Sequence, residues 1–284
     1  MVVVRMLLKA SRAFGPGWSA AWNAPGYSGF NLVWQETFAG DGNTLPNQDN
    51  WNIITGNLGV NQELETYSDS TANVQLSGGN TLQLVPLQAD DGSWTSGRIE
   101  SKYTFTPNGG AQTAVEADIR FGGNDISDKQ GIWPAFWMLG ASINQGTSWP
   151  ECGEIDALET INGQLTGYGT VHCDEIGGAC NDPYGIGSST SIPDQDWHTW
   201  RVLFDRTSND WQSETITFYM DGNQFGQVTG SQVNEDSWNA LCHSPLYFIL
   251  NVAVGGGWPG DPNSSTEGGY GSMMEVAYVA VYST

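Results

Sequence analysis

From Phe30 onward the chain alternates, or runs apolar for about 5–9 residues, in short stretches bounded by turn chemistry. The stretches are NLVWQETF (31–38), NVQLSG (73–78), TLQLVPL (81–87), GRIESKYTFT (97–106), AVEADIRF (114–121), ETITFYMDG (214–222), PLYFILNVAV (245–254) and MEVAYVAVY (274–282). Between them lie GDGN, SGGN, DDGS, PNGG, MDGN and GGGWPGDPN, where Gly and Asn tolerate a left-handed backbone. No helical periodicity is sustained over 12 residues, and no repeat of fixed period is present. Many short strands at this spacing predict two packed antiparallel sheets, an all-β sandwich or jelly roll. No Pro/Ser-rich linker divides residues 26–284, so they read as a single domain. Residues 1–25 read as an N-terminal extension or leader remnant.

In one segment, strand patterning and charge collide: WPECGEIDALE (149–159). Side chains at i and i+2 share a face of a strand, so Glu154 and Asp156 point together while Ile155 and Ala157 point to the core. Glu159 falls on the wrong face unless a one-residue β-bulge near Ala157-Leu158 corrects the parity. Three acids side by side repel, so a purely structural role is hard to motivate; a solvated polar face is the plain alternative. The preceding GIWPAFWMLG (131–140) places Trp133 and Trp137 on one face and Phe136 on the other. Flat indole faces beside paired carboxylates suit a sugar polymer, whose C–H faces stack while its hydroxyls bond to polar neighbours. Most of the 13 Trp are expected in the core, whereas Trp149 and Trp258 sit in loop-like contexts and suit a binding site. His172, in GTVHC, fits either a structural or an active-site role. Retaining glycosidases hold two carboxyls about 5–5.5 Å apart, one as nucleophile and one as acid and then base. A bulged strand permits that geometry.

Charge narrows the partners. The 284 residues carry 31 Asp+Glu against 9 Lys+Arg, a formal charge of −22. Arg5, Lys9 and Arg12 fall in the first twelve positions, leaving six basic residues for the remainder. Nucleic acid, anionic membranes and polyanionic substrates are therefore excluded as partners. No stretch approaches the roughly 18 apolar residues of a membrane span. MVVVRMLLKA is positive like a signal peptide but lacks an uninterrupted apolar core of about 7–15 residues. Cys173 and Cys180 enclose a Gly-rich loop that a disulfide could close, with Cys152 and Cys242 then pairing by elimination. Four free buried thiols are the alternative. Asn263-Ser264-Ser265 matches a glycosylation acceptor.

Taken together, VWQETF, NQELETY, TSGRIESK, GIWPAFWMLG, WPECGEIDALE, GTVHC, FYMDG, LYFILNVAVGG and MEVAYVAVY resemble glycoside hydrolase family 16 in order and spacing, from about Asn31 to Tyr282. The E-x-D-x-x-E motif is similar to the family's laminarinase-like branch. The pairing of HC with GGAC, and NVQLSGGNTLQLVPL, look most similar to fungal secreted members. The resemblance implies a β-jelly-roll of two antiparallel sheets with a concave substrate groove. It implies Glu154 as nucleophile, Glu159 as general acid/base, and Asp156 as the residue that orients the nucleophile. It implies that Asp156 raises the proton affinity of Glu159 while Glu154 stays ionised. It further matches His172 to an active-site histidine, Trp137, Trp149 and Trp258 to groove aromatics, and Asn61 and Arg98 to polar groove contacts. Trp133 fits groove or packing.

Many members carry an Asp in the final strand that ligates a structural calcium, and here that position is Ala277. A hard cation needs several oxygen ligands, so the expectation is no cofactor and a missing or weak calcium, with Glu36 and Gly-loop carbonyls as leftover ligands. The resulting reading is a secreted, monomeric, endo-acting retaining β-glucanase whose partner is a β-1,3- or mixed β-1,3/1,4-glucan. The alternatives are a cell-wall glucan transglycosylase and a non-catalytic glucan-binding jelly roll. Relatives that cleave sulfated galactans would need basic groove residues, which favours a neutral glucan. Members restricted to mixed-linkage glucan generally use the shorter E-x-D-x-E.

Overall fold

The computed structural model describes residues 22–284. The leader-like stretch therefore lies almost wholly outside the described residues. Two antiparallel sheets, of eight and seven strands, form the β-jelly-roll sandwich that the turn spacing predicts. The first runs in the order Asn223–Thr229, Thr215–Met220, His198–Asp205, Gln112–Phe121, Met274–Ser283, Leu82–Leu84, Val74–Leu76, with Asn31–Glu36 also paired to Met274–Ser283. The second runs Ile186–Ser191, Thr166–His172, Glu154–Glu159, Ile132–Gly140, Leu246–Val254, Arg98–Phe105, Trp51–Ile53. Every apolar stretch named above forms a strand. His198–Asp205 alternates just as strictly, with Trp200, Val202 and Phe204 turned inward.

Both sheets feed one core. Ile132, Phe136, Met138, Ile155, Val171, Phe248 and Leu250 meet Val115, Ala117, Ile119, Trp200, Val202 and Phe218 from the opposite sheet. Trp51, Trp200 and Trp238 are fully buried, Trp94 is nearly so, and Trp34 and Trp211 pack against the same core. Close approach at the Trp200 indole explains why the strand Thr166–His172 turns glycine inward. A Cβ on Gly167 would sit 2.2 Å from Trp200 Cη2, and one on Gly169 would sit 2.7 Å from Phe218 Cδ1. With two of its three inward positions reduced to hydrogens and Val171 at the third, this strand lies close on the core and keeps Tyr168 and His172 for the other face.

One α-helix, Glu235–Cys242, occurs among the described residues. Asn234 caps it by accepting from Ser237 N–H at 2.8 Å, and Glu235 and Asp236 complement its positive end. Eight residues are too few to register as a period.

The Cys173–Cys180 disulfide forms, with Cα atoms 5.4 Å apart. The second pairing does not: Cys152 and Cys242 are free and buried. Cys152 packs with Leu139, Tyr247 and Ile249, while Cys242 belongs to the main core. Each is satisfied as a small apolar side chain in its own cluster, which elimination among four cysteines could not reveal.

Among the described residues, an N-terminal segment packs on the other sheet, away from the acidic strand. Trp22, Ala24, Tyr27 and Phe30 lie against Ala277, Tyr278, Ala280 and Tyr282. Tyr27 donates to Glu116 at 2.8 Å, and the Arg201 guanidinium sits 4.0 Å over the Tyr27 ring while bonding Glu116 through Nε and Nη2. Ala277 is thus covered by apolar and aromatic groups. The Glu36 carboxylate already accepts from Thr37 N, Phe38 N, Asn50 Nδ2 and Trp51 Nε1. These two side chains do not suit a calcium ion: that of Ala277 carries no oxygen, and the Glu36 carboxylate's lone pairs are committed to hydrogen-bond donors.

Candidate active site

The site lies on the outward face of the seven-stranded sheet and follows from the parity of three neighbouring strands. In Ile132–Gly140, Ile132, Phe136 and Met138 point to the core, so Trp133, Ala135, Trp137 and Leu139 point out. In Glu154–Glu159 the register with its neighbour slips by one: Trp137 faces Asp156, whereas Phe136 faces Leu158. Ala157 is the extra residue, and it and Leu158 both enter the core. The bulge therefore restores Glu159 to the face that carries Glu154 and Asp156. On the other flank, Glu154 faces His172, Asp156 faces Thr170 and Glu159 faces Tyr168.

Aromatic groups wall the three acids. Trp133 Nε1 donates to Glu159 Oε1 at 3.0 Å. The Trp133 ring meets Trp258 edge-on at 5.5 Å, and Tyr168 meets Trp258 at 5.1 Å. At the opposite end, Trp149 lies 5.6 Å from the His172 ring and close enough to the Glu154 carboxyl to favour its ionised form. Trp149 and Trp258 remain 39% and 44% exposed, so each leaves an indole face open for stacking. Trp137 donates to Asn251 Oδ1 at 2.8 Å, and the Arg98 guanidinium lies 5.1 Å over its ring. Arg98 is itself buried on the outward face beside Asn251, and its guanidinium is bonded to Glu100. Asn61 sits on the exposed rim, bonding Glu63 Oε1 at 3.0 Å and accepting Gly257 N–H at 2.8 Å beside the Trp258 loop.

Burial sets the electrostatics. Burial first, then the charges of Asp156 and Glu154, push the Glu159 carboxyl well above its usual range, with only His172 and Trp133 opposing. Burial and Asp156 also push Glu154 up, to about 8, against the offsetting pull of His172, Trp149 and Arg98. In the free protein Glu154 thus ionises less readily than sequence reasoning expects, because burial strips away most of its solvation. Of the two, Glu154 has the better provision for negative charge. His172 is the nearest cation. Burial works against its charge, but Asp156, Asp182 and Glu154 overcome that and push it up to about 11. Its Nε2 lies 3.4 Å from Asp156 Oδ2 and 3.9 Å from Glu154 Oε1. The Asp156 contact is poorly aligned, and Oδ2 is a buried acceptor without a proper donor, a cost tolerated at functional positions.

Glu154, Asp156 and His172 also present atoms all within 4.8 Å of one another, a spacing that a metal could use. With Nδ1 taken by Asp182, the ring faces the two carboxyls through Nε2, and the cluster reads as an ion pair between His172 and the acids. Sequence reasoning missed two of the site's features. Tyr168 shares a strand face with His172 at i+4, so parity from that histidine would have found it. Asp182, which meets His172 Nδ1, lies across the disulfide loop, and no sequence pattern points to it.

Two buried, raised carboxyls make the fold's stability pH-dependent in a definite direction. A carboxyl raised above its unfolded value of 4.5 is favourable to the fold while protonated, and that contribution is lost as pH rises through the folded value. Replacing Glu159 with Gln removes the late-ionising group. The variant is expected to melt above the parent at pH 8, by about 2–4 °C for each kcal/mol relieved. The gap should close by pH 4, which a series of calorimetric scans measures. A variant that melts lower at pH 8 would contradict the account of Glu159.

The comparisons decide the family. The model of glycosyl hydrolases family 16 matches residues 60–280. The chain belongs to that family. It is a glycoside hydrolase, and its jelly roll is the family fold. It is 36% identical to an endo-1,3-beta-glucanase from Streptomyces sioyaensis, with a TM-score of 0.86, covering 92% of this chain and 99% of that one. It is 31% identical to glucan endo-1,3-beta-glucosidase A1 of Niallia circulans over 91% of this chain, and spans 38% of that protein's length. It is 29% identical to a beta-glucanase of Rhodothermus marinus, covering 89% of this chain and 85% of that protein.

Proposed function

We propose that this family 16 hydrolase cleaves internal bonds of β-1,3- or mixed β-1,3/1,4-glucans with net retention of configuration. The observation that carries the reading is the bulge at Ala157, with Glu154 and Glu159 turned to one aromatic-walled face and His172 beside the first. Glu159, the carboxyl that holds its proton more firmly, donates it to the glycosidic oxygen. Glu154 attacks C1, forming a glycosyl-enzyme as the bond to the leaving sugar breaks. Glu159, now a carboxylate, takes a proton from water, and the water oxygen attacks C1 and releases Glu154. The His172 cation and the Trp149 indole N–H favour the charge that Glu154 must carry to attack.

The groove charge supports a neutral polymer. Glu63, Glu65, Glu100 and the three motif acids cluster around it. All six basic side chains of residues 22–284 are engaged: Arg98 with Glu100, Lys102 with Gln48 O, Arg120 with Glu275, Lys129 with Gly122 O, Arg201 with Glu116, and Arg206 with Glu214. None is left to meet a sulfate. Relatives named as glucanases support the same substrate class. Secretion is consistent with the closed Cys173–Cys180 disulfide. No helix among the described residues is long and apolar enough to cross a membrane.

A panel of laminarin, lichenan, barley β-glucan, cellulose and agarose tests the reading, with products sized over time. The expected result is rapid shortening of laminarin or the mixed-linkage glucans and no action on agarose. Binding to laminarin without release of reducing ends between pH 4 and 7 would contradict it.

A further inference from the structure

His172 is held from both sides, and one of its holders lies outside the acidic motif. Nε2 faces Asp156 and Glu154, while Nδ1 meets Asp182 Oδ1. The Asp182 side chain has no exposed surface, and its second oxygen accepts the Cys173 N–H at 2.9 Å. A carboxylate taken wholly out of water costs several kcal/mol unless it is matched by charge and hydrogen bonds. An amide side chain could satisfy a single backbone N–H at far lower cost. What a carboxylate adds is a charge and a second acceptor, both directed at the ring.

The loop is built to bring it there. Cys173 follows His172 directly, and the disulfide to Cys180 closes the turn two residues before Asp182. Gly177 N–H donates to Asp182 O at 2.8 Å, and Ile176 pairs with Asp182 in a parallel bridge. The chain then passes back over the ring at Gly185, whose φ is +72°. A Cβ at Gly185 would lie 2.9 Å from His172 Cε1 and 2.4 Å from Thr170 Cγ2, so only glycine allows this approach.

We propose that Asp182 is a positioning residue of the hydrolysis: it grips His172 by Nδ1 so that Nε2–H is aimed at Asp156 and Glu154, and the Cys173–Cys180 disulfide holds Asp182 in place. This rests on the reading of Glu154 and Glu159 as the reacting pair. An ionised Asp182 keeps the proton on Nδ1, so the ring remains a cation facing Glu154 and Asp156, with its charge also felt at Glu159. Arg98 is the other cation whose charge reaches Glu154. Without the Asp182 charge, the ring is free to lose a proton and to rotate. Glu154 then meets its neighbouring acids with less compensation.

The test compares the parent with D182N and with the double variant C173S/C180S. It uses 15N NMR titration of the histidine rings and the pH dependence of kcat and KM on laminarin. The chain has three histidines, so assignment by replacing the other two is direct. The parent His172 is expected to remain an imidazolium beyond pH 8. D182N is expected to titrate at least about one unit lower, with kcat reduced at least about tenfold, KM little changed, and the basic limb of the profile moved to lower pH. C173S/C180S should move the same quantities in the same direction, by less. A parent His172 that titrates near the ordinary value of about 6.5 would overturn the proposal without any variant being needed. So would a folded D182N with parental kcat and parental His172 titration. If D182N does not fold, the parent titration and the cysteine variant decide. Failure of the underlying reading looks different: the parent would leave every glucan uncut while its His172 still titrated high.

Discussion

Replacement of Glu154 by Ser is expected to abolish glucan hydrolysis, by at least about 10⁴-fold in kcat, while laminarin still binds. The reasoning starts from position. Of the two reacting glutamates, Glu154 is the one paired with the His172 cation, at 3.9 Å, and the Trp149 indole also favours its ionised form. Both features favour a carboxylate there, which is what attack at C1 requires. A serine hydroxyl is too short to reach the anomeric carbon and has no base aimed at it. The stacking surfaces of Trp133, Trp149 and Trp258 are unaffected, so affinity survives the loss of chemistry. The fold is expected to survive too, because the substitution removes one of three mutually repelling buried acids. Isothermal titration with laminarin oligosaccharides, alongside reducing-end release, separates the two effects. Substantial hydrolysis by the Ser variant would remove Glu154 from the nucleophile role.

Replacement of Glu159 by Ala is expected to give a different signature, and the contrast assigns the roles. Cleavage of laminarin should fall by about 10²–10⁴-fold, since the departing sugar oxygen needs a proton. Activated aryl glycosides leave without one, so their first, bond-breaking step should be nearly spared. The glycosyl-enzyme should then accumulate, because no base remains to activate water. A burst of aryl alcohol followed by slow turnover is the expected time course. Added azide, which needs no deprotonation, should restore turnover and give a β-glycosyl azide. If aryl glycosides and laminarin lose activity equally, Glu159 is not the proton donor.

The reach of the sequence into this site follows strand physics. Period-two alternation places Trp133 with Trp137 and Glu154 with Asp156. The misfit of Glu159 by one residue requires the bulge that the register shows at Ala157. These are local rules, and local rules can be read from a chain. The parts that were not legible depend on distant segments meeting. Asp182 reaches His172 only because a disulfide loop folds back over it. The stacking of Arg98 on Trp137, with Glu100 holding its guanidinium, joins two strands that are far apart in the chain. Cys152 and Cys242 remain thiols because each finds an apolar cluster of its own. The raised affinity of Glu154 for protons also comes from tertiary burial, which no sequence spacing encodes.

Two carboxyls on one bulged strand, acting in succession on one anomeric carbon, form the centre of the account. Time-resolved proton NMR of laminarin hydrolysis, recorded before mutarotation, tests it most directly. Double displacement at Glu154 predicts that the new reducing ends appear first as the β anomer and drift to the equilibrium mixture. New reducing ends that appear first as the α anomer would mean a single displacement by water, and would contradict it.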